Sequence, residues 1–286
     1  MAPTDRTAAA PVRLRADPAA TARRLAALRA YMEANVLGPG GFRCTSEEAC
    51  RGSVRGDNGS YEGQLSHVGR HYDLHLDGRE LRVMVVGQED GSTRTLVSLD
   101  QRYEKIYNDA AMARRYLSDG EHVRRSFHMR GTTSALRLIL GKGLGTDWEG
   151  EFVHDAAGSS FHIFDAFALV NALLCAVHPP GSAEGRGTKL MRRNCLRHFD
   201  ATVKILEPTL VLLQGEGVQE WIAPALGVMH ERSANLAEAT IDGRRVVVCR
   251  FSHPSARGKL SWGNQLDAPY LLQVVEPTLR LALSLL

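Results

Sequence analysis

Two short polar segments, each directly behind an apolar run, carry residue types that catalysis needs. The first is Val85-Val86-Gly87-Gln88-Glu89-Asp90-Gly91. A carboxylate held at the end of a buried strand can orient and polarise a water, or offset a developing positive charge. The second is Phe251-Ser252-His253-Pro254-Ser255. Proline fixes the turn after the strand and leaves His253 at its rim, where an imidazole can donate or accept a proton. Taken singly, each segment reads more readily as structural, the first as a hydrogen-bonded strand-end turn and His253 as a structural histidine. The third signal is five cysteines, Cys44, Cys50, Cys175, Cys195 and Cys249. The odd count, behind a start that lacks the apolar core of a secretory signal, argues against a disulfide framework. Metal binding or buried thiols remain.

The elements that must position these residues follow from pattern. Asp17-Pro18 reads as an N-cap and first helical position, and Leu25, Leu28, Tyr31 and Met32 continue at helical spacing until Gly38-Pro39-Gly40-Gly41. Residues 1–16 are Ala-, Pro- and Arg-rich and read as a disordered tail. Asp77-Gly78 and Asp242-Gly243 mark hairpin turns. Leu81–Val86 and Thr209–Leu213 are buried strands, and Arg245–Phe251 is a strand running into His253. A basic helical region spans roughly 100–141, with Thr133–Leu140 its clearest stripe and Gly141 its stop. Ala166–Val177 is a second apolar run, and helices cover 190–206, the segment holding Trp221, and 268–286. Strands alternating with helices imply a mostly parallel sheet covered on both faces, with ligands bound beyond the carboxyl ends of its strands. Polar residues cluster at those ends: Gln88-Glu89-Asp90, Asn171, Gln214-Gly215-Glu216 and His253-Pro254-Ser255.

Charge is informative in its distribution. Lys+Arg 35 against Asp+Glu 32 leaves only +3. Between Arg102 and Lys142, however, nine basic residues face four acidic ones, and between Arg186 and Lys204 six face one. Such patches suit a phosphate backbone, although a solvated helix face reads the same way. No apolar run reaches the roughly 18 residues that span a bilayer. The expectation is a cytoplasmic protein of one domain, 17–286, behind its tail.

The order of these segments resembles the uracil-DNA glycosylase superfamily. Gly87-Gln88-Glu89 resembles its first motif, His253-Pro254-Ser255 its second, and Leu169-Val170-Asn171-Ala172-Leu173-Leu174 the segment that reads the uracil edge. The likeness covers about residues 80–260, and the His-Pro-Ser end is its most specific part. The cysteines extend it to the iron–sulfur, family 4-like branch. Cys44 and Cys50 supply the N-terminal pair, Cys175 lies four residues after Asn171, and Cys195 lies in the following helix. Zinc accepts the same ligand set, and Cys249 reads as a buried small hydrophobe. The chain departs from that branch in wider cysteine spacings, in Gln88 where Glu is typical, and in Asp90 where proline is common.

The resemblance implies a three-layer α/β/α sandwich around a central, mostly parallel four-stranded sheet. It implies a monomeric, cytoplasmic, nucleoid-associated enzyme acting on DNA that contains uracil or another deaminated base. Glu89, with Asp90 as the second choice, and His253 are the implied catalytic residues. Gln88, Gly91 and Asn171 are the implied substrate contacts, and Ser255 and Arg257 the implied DNA contacts. Cys44, Cys50, Cys175 and Cys195 are the implied ligands of a structural 4Fe-4S cluster. Gly91 stands where a thymine-excluding Tyr occurs in the best-known branch, and the stacking Phe has no clear counterpart. Leu96, Phe164, Phe167 and Tyr103 are candidates for it. Two other readings stay open: a nucleic-acid-binding relative with altered catalysis, and an unrelated α/β enzyme with structural zinc.

Overall fold

Runs of β-branched and apolar residues set the centre of the fold. In the computed structural model, which describes residues 14–91, 93–107, 125–182 and 184–286, they form a mixed α/β structure around one large sheet. Its strands are β1 (His67–Val68), β2 (Val83–Gly87), β3 (Phe167–Asn171), β4 (Leu210–Gln214), β5 (Met229–Ser233), β6 (Leu236–Ile241) and β7 (Arg244–Phe251). Their order is β5-β6-β7-β4-β2-β3-β1. The pairs β7–β4, β4–β2 and β2–β3 are parallel, whereas β1, β5 and β6 join antiparallel. The expected four-stranded sheet is therefore corrected to a seven-stranded mixed one. The additional strands escape pattern reading for physical reasons. β1 has two residues, and β5 is partly or fully exposed along its length. Such an edge carries charge instead of an apolar alternation, which also discourages pairing with another chain.

The helices are α1 (Pro18–Asn35), α2 (Glu47–Gly52), α3 (Phe127–Ile139), α4 (Lys189–Leu206), α5 (Glu216–Leu226) and α6 (Glu276–Leu285). Strand side chains alternate between two buried clusters, as a period of two requires. Met84, Val86, Val170, Val211 and Leu213 pack with Leu28 and Met32 of α1, Phe199 and Val203 of α4, and Ile222 of α5. Val83, Val85, Phe167, Leu210 and Leu212 pack with Ala135, Leu136 and Ile139 of α3 and Leu279 of α6. No helix among the described residues is long and apolar enough to cross a membrane.

Local chemistry sets the boundaries. The Asp17 carboxylate accepts from Ala20 N at 2.9 Å and Pro18 opens α1. Leu14–Ala16, read as tail from sequence, instead form a short strand against Leu74–Leu76, while residues 1–13 lie outside the described ones. Leu74–Leu76 turns back as Arg79–Leu81 through Asp77 and Gly78, both in the left-handed region. The basic region expected to be helical resolves into helical residues 99–107 and α3, with 108–124 outside the described residues. The last helix carries a π-helical turn, Leu271–Val275, before α6.

Chain order through the parallel strands decides where a ligand can sit. The chain leaves β2 for β3 on one side, then crosses to β4 on the other side of β2. That reversal falls at the carboxyl end of β2, the position such sheets use for ligands. Gly87 and the residues after it lie at that end.

Candidate functional site

Strand register brings the expected residues together. Asn171 is paired with Gly87 across β3 and β2, Leu213 with Val86 across β4 and β2, and Gln214 with Phe251 across β4 and β7. Asn171, Gly87, Gln214 and Phe251 therefore follow one another along the carboxyl edge, with His253 two residues beyond Phe251. Ala172 N and Leu173 N donate to the carbonyls of Gly87 and Gln88, both at 2.9 Å. The Asn171 amide oxygen leans over Gly87, where a Cβ would meet it at 3.3 Å.

The two acids behind Gln88 are both held. Glu89 accepts from Val177 N at 2.9 Å, Gly187 N at 3.0 Å and Gln88 Nε2 at 2.8 Å. The loop can close on it because residue 185 is glycine: a Cβ at that position would run into the Glu89 carboxylate. Burial raises the Glu89 pKa, against those hydrogen bonds, which lower it. A carboxylate has about four acceptor positions, so three donors leave room for one water. Asp90 is ion-paired with Arg102 and lies 3.6 Å from Lys105 Nζ. Its carbonyl lies 2.7 Å from His178 Nε2. Gly91 is exposed.

His253 sits exposed at the rim, with Nδ1 accepting from Ser255 N at 3.2 Å. Partial burial of the ring lowers its pKa, so the imidazole is neutral near pH 7. With Nδ1 an acceptor, its one proton sits on Nε2, leaving a directed donor. The loop behind it is closed on itself. Ser252 Oγ donates to Leu260 O at 2.7 Å, and the buried Trp262 donates from Nε1 to Ser252 O at 2.8 Å. Ser255 and Arg257 are exposed on this loop, next to Lys259 and the exposed Leu260.

One residue at this edge gives no local sequence signal. His128, in the first turn of α3, stacks on His253 with centroids 5.1 Å apart and planes 17° apart. Its Nε2 lies 2.6 Å from Gln214 Oε1, while Gln214 Nε2 donates to Thr132 Oγ1 at 3.2 Å. Burial pushes the His128 pKa down to about 4. Nothing near residue 128 announces a partner 86 positions away. The candidates for a stacking aromatic lie elsewhere. Phe164 and Phe167 are inside the core, Tyr103 is stacked against His67 and Tyr107, and Leu96 packs by Gly41 and Gly63.

The thiols form a separate site. Cys44, Cys50 on α2, Cys175 after β3 and Cys195 on α4 line one recess of about 370 Å³ including its open mouth. Cys44 Sγ receives Arg197 Nη2 at 3.4 Å and lies 3.6 Å from His198 Nε2, and Cys50 Sγ receives Asn194 Nδ2 at 3.4 Å. Burial raises the Cys175 pKa and pushes that of Cys195 up to about 12, so both are protonated thiols unless a metal displaces the proton. Among the described residues no three His, Cys, Asp or Glu side chains are gathered tightly enough to grip a metal ion as they stand. In donor chemistry, four soft sulfurs with N–H groups directed at two of them suit an iron–sulfur cluster or zinc. Cys249 is buried in β7, away from this recess.

Compared with known proteins, the chain matches no protein-family model, and no curated protein matches it.

Proposed function

We propose that the protein is a DNA base-excision glycosylase that hydrolyses the N-glycosidic bond of uracil or a related deaminated base and leaves an abasic site. The observation that carries this reading is His253, a neutral Nε2–H donor on a closed loop at the sheet edge where Asn171 and Gln88-Glu89 also end. The two cores on opposite faces of the sheet support the finer architecture of a three-layer α/β/α sandwich. The Glu89 donors Val177 and Gly187 lie in the segment between Cys175 and Cys195, so the acid is tied to the cysteine-bearing arm.

In this reading the damaged nucleotide is extruded from the stack before chemistry, at a cost of a few kcal/mol. The Asn171 amide donates to uracil O4 and accepts from N3–H, and cytosine reverses that pattern. As the C1′–N bond breaks, its electron pair leaves with the base and charge builds on O2. His253 Nε2–H donates to that oxygen. Glu89 is a fixed negative charge beside the oxocarbenium-like sugar and holds one water in its remaining acceptor position. The water oxygen bonds to C1′, and its proton leaves to solvent or to the departing base. Gln88 and Gly91 shape the base pocket, and Ser255 and Arg257 contact the DNA backbone. Cys44, Cys50, Cys175 and Cys195 would hold a 4Fe-4S cluster, whose contribution is to pin α2, the arm after β3 and α4 together. The setting is a cytoplasmic, nucleoid-associated monomer.

The test is an excision assay. Protein is mixed with labelled oligonucleotides bearing one uracil, single-stranded or opposite A or G, then treated with alkali. Strand breaks at uracil are expected. His253→Ala and Glu89→Ala each lose cleavage by about 100-fold or more while still binding DNA. Normal turnover in both variants would remove the assigned pocket. A second reading rests on the engagement of both acids, Glu89 by three donors and Asp90 by Arg102: a nucleic-acid-binding relative with altered catalysis. Tight binding of uracil-containing DNA with no breaks at any base favours it.

A further inference from the structure

Under the proposed mechanism the direction of the His253 Nε2–H bond decides whether charge on the departing base is stabilised, and one hydrogen bond does not set that direction. The Ser255 amide at 3.2 Å holds a single ring nitrogen. The terminal torsion of histidine is broad, so an exposed imidazole held at one point still swings. His128 supplies the second constraint. Its ring lies nearly parallel to that of His253, at 17° and 5.1 Å. His128 cannot itself swing, because Nε2 is bound to Gln214 Oε1 at 2.6 Å and Gln214 is bound to Thr132, one helical turn further along α3. Gln214 is 1% exposed and ends a central strand, so the chain of contacts is anchored in the sheet.

We propose that His128 is a positioning residue for His253: by stacking on it from an anchored ring, it fixes the plane in which the Nε2–H donor points. This rests on the glycosylase reading for its consequence in catalysis, whereas the placement of the ring is open to direct measurement. The Thr132–Gln214–His128 relay makes no contact with substrate in this role. It acts through His253 alone.

Two substitutions separate stacking from hydrogen bonding. His128→Phe keeps a flat ring against His253 and gives up the bond to Gln214. His128→Gln keeps a donor for Gln214 and gives up the ring. Misplacing a catalytic group by about 1 Å costs on the order of 100-fold. The expected result is that His128→Gln lowers kcat for uracil excision about 10- to 100-fold with KM within about threefold, and that His128→Phe stays within about fivefold of wild type. The ring nitrogens of His253, read by nitrogen-15 NMR at neutral pH, are expected to show one Nε2-protonated tautomer in wild type and His128→Phe. A mixture is expected in His128→Gln. Wild-type kcat and unchanged ring signals in His128→Gln would overturn the proposal, as would a His128→Phe variant as impaired as His128→Gln. If His128→Gln does not fold, Thr132→Val loosens Gln214 with His128 in place, and a loss of about three- to tenfold is expected from the same cause. An unchanged Thr132→Val in both readouts counts against the relay. If wild type excises no base at all, the glycosylase reading falls, and the NMR signals alone decide whether His128 positions the ring.

Discussion

A buried imidazole that refuses a proton leaves its mark on stability. His67 is 1% exposed in β1, stacked on Tyr103 and tilted against Phe167, with Nε2 2.8 Å from the carbonyl of Phe164. Burial pushes its pKa down to about 4, from 6.5 in the unfolded chain. Above pH 6.5 it is neutral in both states and imposes no penalty. Between 6.5 and about 4 the unfolded chain takes up a proton that the folded chain excludes, so stability falls as pH falls through that window. The slope from one such group is about 1.4 kcal/mol per pH unit. Urea midpoints measured at pH 7, 6 and 5 should fall. In His67→Gln, which retains a donor but does not titrate, the slope should be shallower by about that amount. An identical slope would mean that His67 is protonated in the folded protein or that the titrating group lies elsewhere.

At the scale of elements, two glycines determine how closely α3 approaches the loop behind His253. A Cβ at Gly131 would sit 2.7 Å from Pro254 Cβ and 3.1 Å from the Trp262 ring, and a Cβ at Gly263 would run into the backbone carbonyl of Phe127. In an isolated helix, replacing glycine by alanine stabilises by about 1 kcal/mol. Overpacking against a proline and a buried tryptophan costs about 1–3 kcal/mol, so the packing term wins. Gly131→Ala should therefore lower stability by up to about 2 kcal/mol in denaturant melts. Because His128 rides on the same turn, the excision expected under the proposed function should drop as well. A variant more stable than wild type would show that α3 and the loop have slack between them, and that the His128–His253 stack is not held by helix position.

The whole molecule is tied together at the thiol recess, where α2, the arm after β3 and α4 meet. Each of these carries little of the edge chemistry, yet Glu89 is held by Val177 and Gly187 of the intervening arm. If the recess holds the proposed cluster, loss of one of these thiols should reach the edge through stability more than through chemistry. Cys175→Ala is expected to lose colour and iron and to melt at lower temperature, while the protein that remains folded still cleaves. Cys249→Ala, outside the recess, should keep its colour. Iron and labile sulfide assays beside thermal melts give both readouts. A colourless Cys175→Ala protein as stable and active as wild type would remove the cluster, and stoichiometric zinc in place of iron would identify a different centre.

Much of the fold is legible locally because its signals are local. Asp17-Pro18 caps α1, Pro208 follows the end of α4, and Asp77-Gly78 and Asp242-Gly243 make hairpin turns with both residues at positive φ. The runs behind β2, β4 and β7 declare buried strands because both their faces are covered, and each delivers its polar residues to the same edge. The resemblance implied one site for Cys44, Cys50, Cys175 and Cys195, and one recess collects those four side chains. The sequence by itself therefore determined the central parallel strands, the polar residues at their carboxyl ends and the main helices. Tertiary structure alone decided the rest. Edge strands β1 and β5 are too short or too exposed to carry a hydrophobic period. The reversal of strand order at β2 is a property of pairing and not of any segment. Two of the three donors on Glu89, Val177 N and Gly187 N, and the contact of His128 with Gln214 join residues about ninety positions apart. Such contacts are set by packing distance across the sheet edge, and they leave no trace in the neighbouring sequence.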